Sequence, residues 1–122
     1  MPKILVVEDD PALQRMYQNT LTLSNFEVTV ANNAVTAFTE IAKTKFDLVI
    51  LDIMLPGGKN GFDIMEELKT DPATARLPVI VCTNLDSEKE TAMKIGASDY
   101  FIKSNTPVSE LVDKINKILG NN

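Results

Sequence analysis

The 122-residue chain has no histidine, no tryptophan, one cysteine and only 6% aromatic residues. Without histidine there is no Ser-His or Cys-His nucleophile pair, no His-bound zinc and no imidazole base. Cys82 has no second cysteine to bridge to. Basic residues are also in the minority: 12 Lys and Arg face 17 Asp and Glu, a net of −5 with no basic run. Nonspecific nucleic-acid binding, which rests on neutralising phosphates, is therefore excluded. Long apolar runs are absent too. Only four apolar residues separate Met1-Pro2-Lys3 from Glu8, too few for a secretory signal, and nothing later is long enough to span a bilayer. A soluble cytoplasmic protein is the expectation.

What remains is a globular composition, 44% hydrophobic and 24% charged, consistent with one domain over residues 1–122. A chain this long hides roughly two thirds of its unfolded surface and needs no disulfide or metal staple. Ile4-Leu5-Val6-Val7, Leu48-Val49-Ile50-Leu51 and Val79-Ile80-Val81-Cys82 are short, largely β-branched runs, the pattern of strands covered on both faces. Phe26 to Val30 alternates apolar and polar, as a strand near an edge does, and Tyr100-Phe101-Ile102 supplies a fifth.

Helical spacing fills the intervals. The stripes are Leu13, Met16, Tyr17 and Leu21, then Ala34, Val35, Ala37, Phe38 and Ile41, then Phe62, Met65 and Leu68. The fourth helix is expected to open on Ser87, with Glu90 reciprocating the cap, and to stop at Gly96. The fifth is expected to begin at Thr106-Pro107, with proline in the first turn and Val108, Leu111, Val112, Ile115 and Leu119 on its buried face. Asp10, ahead of Pro11, reads as a helix cap. Asp47, Lys114 and Lys117 read as solvated charges, and Cys82 as a small buried hydrophobe. Strand and helix alternate five times, which argues for an α/β fold, a parallel sheet with helices on both faces.

In such folds ligands bind beyond the carboxyl ends of the strands, where the winding reverses. Those ends carry Glu8, Asp9 and Asp10 after strand one, Asp52 after strand three, Thr83 at strand four and Lys103 after strand five. Carboxylates gathered in one crevice repel unless a cation intervenes, and oxygen ligands of this kind suit Mg²⁺. An acid pair, a separate aspartate, a hydroxyl and a lysine look built for phosphoryl chemistry, with Asp52 as the nucleophile. A carboxylate directly after four buried apolar residues is costly without such a role.

Ile4 to Asp10, Leu48 to Pro56, Val81-Cys82-Thr83 and Gly96 to Lys103 together resemble the receiver domain of bacterial response regulators over essentially the whole chain. The resemblance implies a doubly wound, flavodoxin-like sheet of order 2-1-3-4-5. It implies that Asp52 accepts a phosphoryl group from a phosphohistidine on a sensor histidine kinase or phosphotransfer protein. Asp9 would hold Mg²⁺ directly and Glu8 through water, beside Asp52 and the backbone carbonyl of Met54. Lys103 would pair with phosphoryl oxygens and Thr83 would hydrogen-bond to one of them. Thr83 and Tyr100 would form the switch, and the face of helix four, strand five and helix five, around Lys94, Tyr100 and Val112, would meet a protein target or a second copy. The chain is then a two-component switch that catalyses its own phosphorylation and slow dephosphorylation. With the sequence ending just after the fifth helix, output is expected to pass through protein contacts.

Three departures from the family pattern matter. Ser104 follows Lys103 where proline is usual, implying a looser loop. The stretch between Pro56 and Gly61 carries one extra residue and paired glycines, and Asn84 follows Thr83 where a small residue is usual. Met54 and Leu85 flank the expected pocket and neither can orient a hydrolytic water, so a slowly hydrolysing acyl phosphate is expected. Rivals fit less well. A haloacid-dehalogenase-type phosphatase wants an acid where Met54 stands, and a flavodoxin-like nucleotide binder would not place Glu8-Asp9-Asp10 against phosphate. A receiver-like interaction module that works without phosphorylation remains the main alternative.

Overall fold

A computed structural model describes residues 1–84, 86–104 and 106–120. The strands are β1 (Lys3–Val7), β2 (Glu27–Ala31), β3 (Leu48–Leu51), β4 (Val79–Thr83) and β5 (Asp99–Ile102). The helices are α1 (Pro11–Leu23), α2 (Ala34–Lys43), α3 (Gly61–Thr70), α4 (Lys89–Ile95) and α5 (Val108–Leu119). All strand pairs are parallel and the sheet order is β2-β1-β3-β4-β5, the expected topology.

Because side chains alternate across a strand, each apolar run feeds two cores. Leu5, Val7, Val49, Leu51, Val79 and Val81 pack on one face against α2, α3 and α4. Ile4, Val6, Leu48, Ile50, Ile80 and Cys82 pack on the other against α1 and α5. Each such side chain contributes on the order of 1.5–3 kcal/mol by burial. Polar Glu27 and Thr29 alternate along β2, which is an edge strand.

The helix starts follow local chemistry. Asp10 caps α1, accepting from the N–H groups of Ala12 and Leu13 at 2.9 and 3.5 Å. Asn60 and Asp63 form a reciprocal capping box on α3. Several expectations need correction, Met16 first: it is 38% exposed, off the buried stripe of α1 that Tyr17 and Leu21 form. The helix after β4 opens with a 3-10 turn over Asp86–Glu88, so Ser87 lies inside that turn and Glu88, at the α4 cap position, makes no side-chain cap bond. Pro107 occupies the cap position of α5 rather than its first turn, with an extended ψ of 147°. Val35 is 76% exposed, because the buried stripe of α2 runs through Ala34 and Ala37 instead. Lys114 donates to Asp99 at 3.1 Å and is partly buried, so it ties α5 to β5.

Val7 and Leu51 are register partners on adjacent strands, and the Asp52 N–H donates to the Val7 carbonyl at 3.1 Å. The chain leaves β1 toward β2 and returns to β3 on the other side, so the residues after Val7 and Leu51 meet at the point where the winding reverses.

Candidate functional site

Among the described residues, the buried polar or charged side chains are Glu8, Asp52 and Thr83, and all three stand at carboxyl ends of strands. Burying a charge is expensive unless it is paired. Here the partner is Lys103, whose ammonium donates to Asp52 Oδ2 at 3.0 Å and to Glu8 Oε1. Its own backbone N–H donates to the Thr83 carbonyl at 2.9 Å, which fixes the chain just beyond β5. The lysine is thus held at both ends although Ser104 follows it. Asn105, next in the loop, lies outside the described residues.

Asp9 completes the acidic group from the exposed rim. One carboxylate oxygen from each of Glu8, Asp9 and Asp52 falls within 4.8 Å of the others. Three carboxylates against one ammonium leave negative charge in excess, and an all-oxygen donor set of this spacing fits a hard divalent ion such as Mg²⁺. Burial raises the Glu8 carboxyl above its ordinary value against the pull of Lys103, and Asp52 adds to the rise. Burial alone would lower Lys103, but its bonds to Glu8 and Asp52 outweigh that and hold the ammonium charged.

Supports that the sequence did not announce hold these groups in place. Gln14 on α1 donates to the Glu8 carbonyl, and the Asp10 N–H donates to Glu8 Oε2 at 3.3 Å. Gly61 donates to the Ile53 carbonyl at 2.8 Å, and a Cβ on it would lie 2.2 Å from the Asp52 carbonyl oxygen. Only glycine lets α3 start this close to the acceptor segment. Asn60 followed three residues later by Asp63 was a readable cap signal for that helix start. The Met54 N–H approaches Asp52 Oδ1 at 3.4 Å while its side chain is 64% exposed. Leu85, the second residue expected to flank the pocket, lies outside the described residues. Tyr100 is buried on β5, and the register that pairs Val81 with Tyr100 and Thr83 with Ile102 places Thr83 and Tyr100 on the sheet face covered by α4.

A family model for the response regulator receiver domain matches residues 4–116. The chain belongs to that family. This receiver is 37% identical over 122 residues to the uncharacterized transcriptional regulatory protein YkoG of Bacillus subtilis (strain 168), covering 98% of the chain and 51% of YkoG. It is 37% identical over 103 residues to the response regulator PleD of Caulobacter vibrioides, covering 83% of the chain and 22% of PleD. The chain therefore spans about half, or less, of these curated relatives. The response regulator TrrA of Thermotoga maritima, solved in complex with Mg²⁺-BeF, superposes with a TM-score of 0.87 at 28% identity, covering 98% of this chain and all of TrrA. Receiver domains bind Mg²⁺ in an acidic pocket, and this receiver carries one in Glu8, Asp9 and Asp52. Among the described residues, no helix is long and apolar enough to cross a membrane.

Proposed function

We propose that Asp52 is the phosphoacceptor of a two-component phosphorelay, taking its phosphoryl group from a phosphohistidine on a sensor histidine kinase or phosphotransfer protein. The observation that carries this reading is the Lys103 ammonium on both Asp52 and Glu8, 3.0 Å from the Asp52 oxygen. A lysine there neutralises the ground-state carboxylate and stands ready to follow charge onto an incoming phosphoryl oxygen.

A carboxylate oxygen of Asp52 attacks phosphorus in line, the phosphorus–nitrogen bond of the phosphohistidine breaks, and its electron pair leaves with the imidazole. Glu8, Asp9, Asp52 and the Met54 carbonyl are the residues that would hold Mg²⁺. When bound, the ion offsets charge on the phosphoryl oxygens. Gln14 and Gly61 act through position: one fixes the Glu8 backbone, the other admits the α3 terminus beside Asp52. Thr83, buried and on the α4 face, is the hydroxyl that would hydrogen-bond to the acyl phosphate.

Phosphorylation adds about 1.5 to 2 negative charges and strong acceptors. Drawing Thr83 toward them opens room on the same face beside Tyr100, and the α4, β5 and α5 surface carries the change to a protein target or a second copy. Converting a 1:99 equilibrium to 99:1 takes about 5.5 kcal/mol. One charge-assisted bond falls short of that, so Lys103 and Thr83 must both re-pair. The test is incorporation of phosphate from acetyl phosphate with Mg²⁺. The expected result is stoichiometric labelling that Asp52→Asn abolishes. Labelling at another residue, or none in the wild type, would leave the interaction module that works without phosphorylation.

A further inference from the structure

The connection from β3 to α3 ends on Asn60-Gly61, and Asn60 is the one asparagine in the chain that a glycine follows. The side-chain amide carbon of an asparagine is an electrophile, and the backbone nitrogen of the next residue can close a five-membered ring on it. Glycine obstructs that approach least, because it has no Cβ. The pair is also accessible, since Pro56 to Asn60 are all exposed.

In the fold both reacting groups are engaged. Asn60 Oδ1 accepts the Asp63 N–H at 3.0 Å while the Asn60 N–H donates to Asp63 Oδ2 at 3.0 Å. The Gly61 nitrogen donates to the Ile53 carbonyl at 2.8 Å. Closing the ring means turning the amide away from Asp63 and freeing that nitrogen from Ile53, so the cap has to open first. The segment leading into the cap can yield: Gly57 and Gly58 have φ of 90° and 88°, and nothing lies within 4 Å of where their Cβ atoms would be. An exposed first turn opens at far lower cost than the sheet beneath it.

The structure assigns Asn60 as a modification site, a spontaneous deamidation gated by the α3 cap, whose isoaspartyl product parts α3 from the acceptor segment. The Gly61 nitrogen loses its proton to solvent base and bonds to Asn60 Cγ, and the side-chain nitrogen leaves as ammonia. Water then opens the cyclic imide at either carbonyl. Opening at Cγ gives aspartate at position 60, and opening at the main-chain carbonyl routes the backbone through the side chain.

The two products have different consequences. Aspartate caps a helix as well as asparagine does, so α3 keeps its start. The isoaspartyl form adds a methylene to the chain and turns the carbonyl that accepts the Ile64 N–H at 3.2 Å into a free carboxylate. No slack is present to absorb this, because a Cβ on Gly61 would already lie 2.2 Å from the Asp52 carbonyl oxygen and 2.8 Å from the Ile53 Cα. The start of α3 must then move off the segment that carries Asp52. Loss of phosphoryl transfer in that form rests on the phosphoacceptor reading, whereas the modification and the shift of α3 do not.

The test begins with the full chain kept folded in mildly alkaline buffer and, separately, in urea. Ammonia loss is located by peptide mapping, and isoaspartate is counted by isoaspartyl methyltransferase labelling. Asn60 should react ahead of every other asparagine in urea, about tenfold or more slowly in the fold, and at an intermediate rate in folded Asp63→Ala, which lacks the reciprocal half of the cap. The isoaspartyl form, refolded and separated by ion exchange, should show displaced amide shifts at Ile53, Gly61 and Ile64. It should take phosphate from acetyl phosphate with Mg²⁺ about tenfold or more slowly than the unmodified chain, and methyltransferase repair should restore the rate. Asn60→Asp should label within about twofold of the wild type. Equal rates in urea and in the fold, another asparagine reacting first, amide shifts that match the unmodified chain, or an isoaspartyl chain unfolded throughout would each overturn the proposal. So would an isoaspartyl form that labels at the unmodified rate. If the unmodified chain takes no label, the phosphoacceptor reading fails, and the reaction rates and amide shifts still decide this one.

Discussion

The two ends of the sheet treat charge in opposite ways. At the carboxyl ends of the strands, Glu8 and Asp52 are 2% and 7% exposed and share one ammonium. At the amino ends, Lys3 and Glu27 meet at 3.7 Å with 48% and 59% of their side chains in solvent, and Asp47 satisfies itself on a backbone N–H. The second arrangement costs almost nothing to keep and contributes little. The first is poor economy for stability alone, since a well-packed apolar trio would serve as well. What distinguishes them is that buried, mutually constrained charge can be re-partnered by a ligand.

The starkest way to break the contrast is to remove the acceptor. Asp52→Asn should lose all phosphate incorporation from acetyl phosphate, whereas Asp47→Asn at the other end should retain wild-type labelling, both read by intact mass. Next in size is the cost of orphaning a partner. With divalent ions chelated, Lys103→Met leaves Glu8 buried without its cation and should destabilise the fold by about 3–5 kcal/mol in urea unfolding. Lys3→Met should cost less than about 1 kcal/mol. Equal losses would mean that the buried pair is not energetically distinct.

Most of this contrast was legible in the sequence. Apolar runs of four residues before Glu8 and Asp52 and of three before Lys103 announce both the sheet and the crevice, because period and strand-end position are one-dimensional signals. Distance between remote segments is not. Nothing in the local sequence says that Gly61 must clear the Asp52 carbonyl, that Gln14 reaches back to Glu8, or that Lys114 lies against Asp99. Val35 shows the converse failure: its helical spacing suits burial, but Ala34 and Ala37 let α2 sit close to the sheet on a neighbouring stripe. At Ser87, a capping pattern gave way to a 3-10 turn.

A finer probe asks whether the acidic end is built for persistence as well as capture. The Met54 side chain, exposed beside Asp52, has no group to orient an attacking water. Met54→Asn should accelerate spontaneous loss of the aspartyl phosphate by about tenfold, the scale of one well-placed hydrogen bond. Decay is followed by mass after the donor is removed, and an unchanged half-life would count against apolar shielding.

A titration tests how dry the carboxyl end is one residue before Thr83. Cys82 is 1% exposed, its sulfur 3.1 Å from the Tyr17 hydroxyl, and burial pushes the thiol from its ordinary 9.0 up to about 12. Below pH 9 the folded and unfolded chains both keep the proton, so this group leaves stability unchanged. Above it the unfolded chain releases a proton that the folded one retains, and stability falls with rising pH until the folded thiol also ionises near 12. The slope approaches about 1.4 kcal/mol per pH unit for one proton. Urea midpoints between pH 8 and 10.5 should fall less steeply in Cys82→Ala than in the wild type, with Tyr17, raised by burial, and Lys103, raised by its bonds to Glu8 and Asp52, contributing to the slope that remains. Parallel slopes would show that water reaches the sulfur. The end of β4 would then be open in the way the amino ends of the sheet are.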